Sequence, residues 1–129
     1  NELSQNPENA SAWVQLGHNY FDSNQPMKAI EAYDKALTLD GNDPDVLTDQ
    51  GIMYRRVGWF DKAVENLEKA NALNPRHTQS LYNLGIVYRD DLGDQAKAKE
   101  VWTKYLEIAP TGNNSDQVRT MIDHMENGH

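Results

Sequence analysis

The chain repeats its pattern of residues every 34 positions, and this period constrains the fold more than any other feature. Two columns show it, one of glycine and one of tyrosine three residues later. They comprise Gly17, Gly51 and Gly85, and Tyr20, Tyr54 and Tyr88. A period of this length is typical of solenoids, in which each unit buries its apolar face against a neighbour.

In a third column, which consists of alanine, the second interval is one residue longer than the first. Ala29 and Ala63 are 34 residues apart, whereas Ala63 and Ala98 are 35 apart. The glycine and tyrosine columns keep the shorter step, so one residue is inserted after Tyr88. We expect the insertion within residues 89–94, where it would lengthen a turn.

Within each unit, apolar residues recur every three or four positions, which predicts two helices per unit. We expect the first helices near 10–23, 44–57 and 78–90, and the second helices near 26–39, 60–73 and 95–108. Proline or glycine closes the units at Gly41, Pro75 and Pro110. A glycine inside a helix costs roughly 1 kcal/mol relative to alanine, so we expect the glycine column to mark a close approach of helices.

The run from Trp13 to Tyr20, followed by Ala29 and Tyr33, resembles the tetratricopeptide repeat. The resemblance implies an all-α fold, a right-handed α-solenoid of antiparallel helix pairs. We expect the tail of a truncated upstream segment at 1–9, three units at 10–43, 44–77 and 78–112, and a capping helix with a C-terminal tail at 113–129.

The capping helix is predicted from an apolar stripe after Pro110. Ser115 is a candidate N-cap, and the stripe comprises Val118, Met121, Ile122 and Met125.

The repeat pattern is broken at two positions. Gln50 replaces a leucine of the second unit, and Tyr105 replaces a small residue, which indicates that the last unit packs its second helix differently.

The net charge of the chain restricts the classes of partner that it can bind. The 129 residues include 20 acidic and 12 basic side chains, with a net charge of −8. A duplex binder needs a basic field, so we expect no nucleic acid partner. No apolar run reaches the length of a membrane span, so we expect the visible chain to be soluble and without direct membrane contact. The absence of Cys leaves both a cytoplasmic location and, with an upstream anchor, a periplasmic one open.

The sequence lacks the motifs that usually indicate an enzyme. The four histidines have no metal-ligand spacing, and there is no glycine-rich phosphate loop and no Gly-x-Ser-x-Gly motif. We therefore predict that the chain is not an enzyme and binds neither a metal nor a cofactor.

The side of each first helix that faces away from the predicted core carries its own columns. Positions i, i+4 and i+7 share one helix side, and stacked units would align them in rows. These predicted groove residues are Val14, His18, Phe21, Thr48, Ile52, Arg55, Tyr82, Ile86 and Arg89, with Arg56 beside Arg55. In proteins that this sequence resembles, the first helices line a concave groove that holds a peptide.

The groove would have an apolar floor and a basic end, which favours a partner segment with an acidic residue or a free carboxylate. In a simpler interpretation, the isoleucines pack between helices, and the arginines pair with Asp22, Asp49 or Asp90.

Repeat proteins that clamp the carboxylate of chaperone tails have Lys, Asn and Arg at positions occupied here by Val14, His18, Asp49, Gln79 and Asn83. That subfamily is therefore disfavoured.

We predict a protein-interaction scaffold that binds a peptide segment of a partner protein. The first alternative is self-assembly into a homo-oligomer through the groove or the Met121–Met125 region. The second rests only on resemblance: short three-unit chains are similar to the soluble parts of bacterial membrane-anchored assembly factors, including those of cytochrome maturation.

Overall fold

The computed structural model describes residues 9–112 and 114–127, which form helices and turns. The helices are α1 (Ala10–Asp22), α2 (Pro26–Leu39), α3 (Pro44–Arg56), α4 (Phe60–Leu73), α5 (Thr78–Ile86), α6 (Gln95–Ile108) and α7 (Ser115–Asn127). The predicted helix positions are confirmed to within about two residues, except at the end of α5. The expected upstream segment 1–9 lies, apart from Asn9, outside the described residues, as do 113, 128 and 129.

Each helix packs against the next one along the chain, so the three pairs stack as an all-α solenoid. The first helices also approach one another, because α3 contacts α5. At the end of the stack, α7 packs on α6 and buries Val118 completely. Ser115 is not the N-cap that we expected. It is the first helical residue, and its hydroxyl donates to the Ala109 carbonyl at 2.7 Å.

The glycine column lies where a first helix meets a large side chain of the second helix. A Cβ atom at Gly85 would lie 1.9 Å from the indole nitrogen of Trp102, and one at Gly17 would lie 2.5 Å from Tyr33. The space at Gly51 is larger, since a Cβ would lie 3.1 Å from Leu67. The predicted close approach is confirmed.

The inserted residue lies in a π-helical turn, Val87–Asp91, that continues α5. The Leu92 amide donates to the Val87 carbonyl at 3.0 Å, five residues back. In the second unit, the corresponding Val57 amide keeps the ordinary four-residue bond to Met53. The insertion therefore lengthens the end of the first helix rather than the turn.

The turn itself keeps the same form in all three units. A residue with left-handed backbone follows each first helix, at Asn24 (φ 56°), Gly58 (φ 84°) and Gly93 (φ 67°). Two of the three positions are glycine, which adopts this conformation without steric cost.

Gln50 is buried, and hydrogen bonds satisfy its amide. Its Nε2 donates to the Ile30 carbonyl at 3.0 Å and to the Asp34 carboxylate at 2.7 Å, while its Oε1 accepts from Asn66 at 2.6 Å. This departure from leucine therefore joins α2, α3 and α4 through one polar side chain.

We expect Gly85→Ala to destabilise the fold by about 3 kcal/mol, because the added methyl overlaps the fully buried Trp102 ring. Gly51→Ala is the matched control. There the tight contact is with a flexible leucine and the helix gains about 1 kcal/mol of propensity, so the net change should be small. Urea unfolding measures both. Equal destabilisation of the two variants would contradict this account.

Candidate functional site

The ten predicted groove residues lie on α1, α3 and α5 or on the π-helical turn that follows α5. The apolar members pack against the core and keep part of their surface exposed; they are Val14, Phe21, Ile52, Tyr82 and Ile86. His18 and Arg56 are exposed, whereas Arg55 and Arg89 are half-buried. We call the surface formed by these nine residues the first-helix face.

Thr48 does not belong to this surface. Its side chain is 2% exposed, and its hydroxyl oxygen has no hydrogen-bond partner within residues 9–112 and 114–127. Thr48 therefore lies within the helix packing, and the row predicted to run from Val14 to Tyr82 is interrupted at α3.

Two of the three arginines are bound to carboxylates of the π-helical turn. Arg55 donates to Asp91 from Nε at 2.5 Å and from Nη2 at 3.3 Å. Arg89 donates to Asp90 from Nε at 2.6 Å and from Nη2 at 3.2 Å. Both contacts are bidentate, which is the strong geometry for this pair. The hydrogen bond from Arg89 holds the pKa of Asp90 below its usual value.

Arg56 has different neighbours. Its guanidinium lies 5.3 Å from the centre of the Phe21 ring and donates to the Asn24 side chain at 3.2 Å. No carboxylate of the described residues lies within 4.0 Å of it. Of the predicted basic end, Arg56 is therefore the cation that no carboxylate neutralises in the described part of the chain.

A polar cluster that sequence spacing does not reveal joins His18, Tyr33 and Asp49. The His18 ring nitrogen Nδ1 lies 2.7 Å from the Tyr33 hydroxyl and 3.8 Å from the Asp49 carboxylate. These residues come from α1, α2 and α3, so no local spacing reveals their proximity. Among the described residues, the Asp49 carboxylate accepts no hydrogen bond.

The pKa of Asp49 is raised to about 6, and burial is the largest cause. The neighbouring carboxylates Asp45 and Asp43 also raise this pKa, whereas His18 and His77 lower it. Burial also raises the pKa of the Tyr33 hydroxyl above its usual value, so Tyr33 stays neutral at physiological pH.

Three family models, each described as a tetratricopeptide repeat, match residues 10–43, 44–77 and 79–112. Together they span most of the sequence. The chain belongs to the tetratricopeptide repeat family.

The chain is similar to a short segment of a larger curated protein. The human protein O-mannosyl-transferase TMTC3 is 34% identical over 89 residues, which are 68% of this chain and 10% of that protein. This chain therefore matches only a small part of TMTC3, and the likeness is to that part and not to the whole transferase.

Two solved structures share the solenoid. The crystal structure of MamA has a TM-score of 0.90 and 28% identity, over 98% of this chain and 71% of that one. The first tetratricopeptide repeat domain of Spaghetti (RPAP3), bound to the HSP90 peptide SRMEEVD, has a TM-score of 0.82 over 92% of this chain and 94% of that one. Its identity is 23%, so it shows the shared fold alone.

Within residues 9–112 and 114–127, no three His, Asp or Glu side chains form a group that could hold a metal ion. No helix in those ranges is long and apolar enough to span a membrane.

We expect Asp49→Asn to stabilise the repeat domain more at pH 7.5 than at pH 4. The pKa of Asp49 is raised to about 6 from 3.8, so the protonated form favours folding, and this contribution is lost as pH rises through 6. The side chain is 32% exposed, which limits the gain to about 1 kcal/mol.

Urea unfolding at the two pH values measures this gain. Glu107→Gln, an exposed change on α6, is the matched control. A stability difference for Asp49→Asn that does not change with pH would contradict the assignment.

Proposed function

We propose that the chain is a non-catalytic scaffold that binds an apolar segment of a partner protein on the first-helix face. One observation carries this proposal: five apolar side chains keep part of their surface exposed on the same side of three neighbouring helices. An apolar surface bordered by charged groups is typical of a binding site. Helix packing also fixes the positions of these side chains before a partner binds, which reduces the entropy lost on binding.

The similar fold of the RPAP3 domain, which binds an HSP90 peptide, supports a peptide as the occupant. A short segment that becomes ordered on binding is expected to bind with micromolar affinity, on the order of −8 kcal/mol. The first-helix face does not favour the carboxylate of a chaperone tail, because the half-buried Asp49 carboxylate would repel it.

We place the acidic residue of the partner segment beside Arg56. A partner carboxylate at Arg55 or Arg89 would have to displace Asp91 or Asp90 from a bidentate contact. Arg56 requires no such exchange, since its neighbours are Asn24 and the Phe21 ring.

Self-assembly is a second candidate, and a different surface favours it. Trp59 is 45% exposed and Leu92 is 43% exposed, and both line a cavity of about 410 Å³ with Phe60. Burying this apolar surface against a second copy would remove it from water. Particle mass that grows with protein concentration is expected from self-assembly, whereas peptide binding on the first-helix face predicts a constant mass.

The test uses 12-residue peptides that are selected for binding to the chain from a displayed random library. We expect Ile52→Asn to weaken the binding of these peptides by about tenfold. The variant removes apolar contact at the centre of the first-helix face. Thr103→Asn, an exposed change on α6, is the matched control and should bind as the native chain does.

Thermal unfolding first establishes that both variants are folded, and fluorescence anisotropy then gives the dissociation constants. Arg56→Gln should weaken the binding of peptides that contain Asp or Glu and should leave the binding of the other peptides unchanged. Peptides that bind Ile52→Asn and the native chain equally well would contradict the proposed function.

A further inference from the structure

The carboxylates around the first-helix face differ in their partners. Four of them have a donor within hydrogen-bond distance. Asp43 accepts two backbone amides at the start of α3, Asp45 contacts His77 at 2.8 Å, and Asp90 and Asp91 bind Arg89 and Arg55. Asp49 lies among them and has no such partner in the described part of the chain.

The position of Asp49 makes this lack of a partner costly. Its side chain is only 32% exposed, and its nearest group of potential positive charge is the His18 ring at 3.8 Å. That ring nitrogen already contacts the Tyr33 hydroxyl at 2.7 Å. A carboxylate that is two-thirds shielded from water and has no hydrogen bond to the protein loses part of its solvation energy.

Asp49 lies where side chains of α1 and α3 meet. Asp49, Ile52 and Arg56 are spaced i, i+3 and i+7, so they share one side of α3. From α1, His18 approaches Asp49 and the Phe21 ring lies against Arg56. We call these five residues the α1–α3 groove; it has a carboxylate at one end, apolar surface in the middle and a guanidinium at the other end.

We propose that Asp49 binds a lysine or arginine side chain of the partner segment, beside an apolar residue of that segment on Ile52. This inference rests on the proposed function, and it names the chemistry of the partner. A cation at this point supplies the missing counter-charge, and it is drawn towards a chain whose net charge is −8. An acidic side chain at the same point is repelled, so Asp49 selects between partners.

The two ends of the groove also set the spacing of the charged residues in the segment. Asp49 and Arg56 are seven positions apart on α3, which is a rise of about 10 Å. An extended peptide covers that distance in about three residues. The segment therefore carries its basic residue about three positions from its acidic residue, with apolar contact between them.

The test uses peptides of 12 residues selected from a displayed random library on the full chain. Binding to the native chain, Ile52→Asn and Asp49→Asn is measured for each peptide. Peptides that need Ile52 should be enriched in Lys or Arg over the unselected library, and Asp49→Asn should weaken them about tenfold. Replacing the basic residue of the peptide by Gln should cause the same loss, and combining the two changes should cause no further loss.

Glu107→Gln removes one negative charge from an exposed position on α6 and controls for net charge. If peptides that need Ile52 lack the enrichment, or bind Asp49→Asn as tightly as the native chain, the role of Asp49 is wrong and the proposed function stands. If no selected peptide is weakened by Ile52→Asn, the proposed function is wrong and the role of Asp49 falls with it.

Discussion

The contact between a first-helix glycine and a large side chain of the second helix determines both the core and the first-helix face. At Gly17, the close approach lets the Tyr33 hydroxyl reach His18 on the first-helix face. At Gly85, it lets the Trp102 indole donate to the Tyr82 carbonyl at 3.1 Å, and the Arg89 guanidinium lies 5.1 Å from the Trp102 ring. The packing of the core therefore also positions side chains of the first-helix face.

The electrostatics of the surface depend on the one-residue insertion of the third repeat. The π-helical turn carries Asp90 and Asp91, and these bind Arg89 and Arg55. The second repeat has Arg56 and Val57 where the third has acidic residues after its own arginine. Asp90 and Asp91 thus neutralise two of the three arginines of the basic end, and an acidic group, Asp49, and a basic group, Arg56, remain at opposite ends of the α1–α3 groove.

Periodicity was sufficient to predict the helix pairs, because every unit buries the same face. It was also sufficient to place the first-helix face, apart from Thr48, whose burial depends on packing between units. The ion pairs were harder to predict. Asp91 lies 36 residues from Arg55, and its approach depends on a π-helical turn that spacing alone does not reveal. The contact of His18 with Tyr33 and Asp49 joins three helices in the same way.

Binding of a partner segment on α1, α3 and α5 is tested most directly by amide chemical-shift mapping of the isotope-labelled chain during titration with a selected peptide. We predict that the largest shifts occur around His18, Asp49, Ile52 and Arg56, with smaller ones on α5. Shifts concentrated on α4 and around Trp59 and Leu92, or on α7, would contradict it and would place the interaction on another surface.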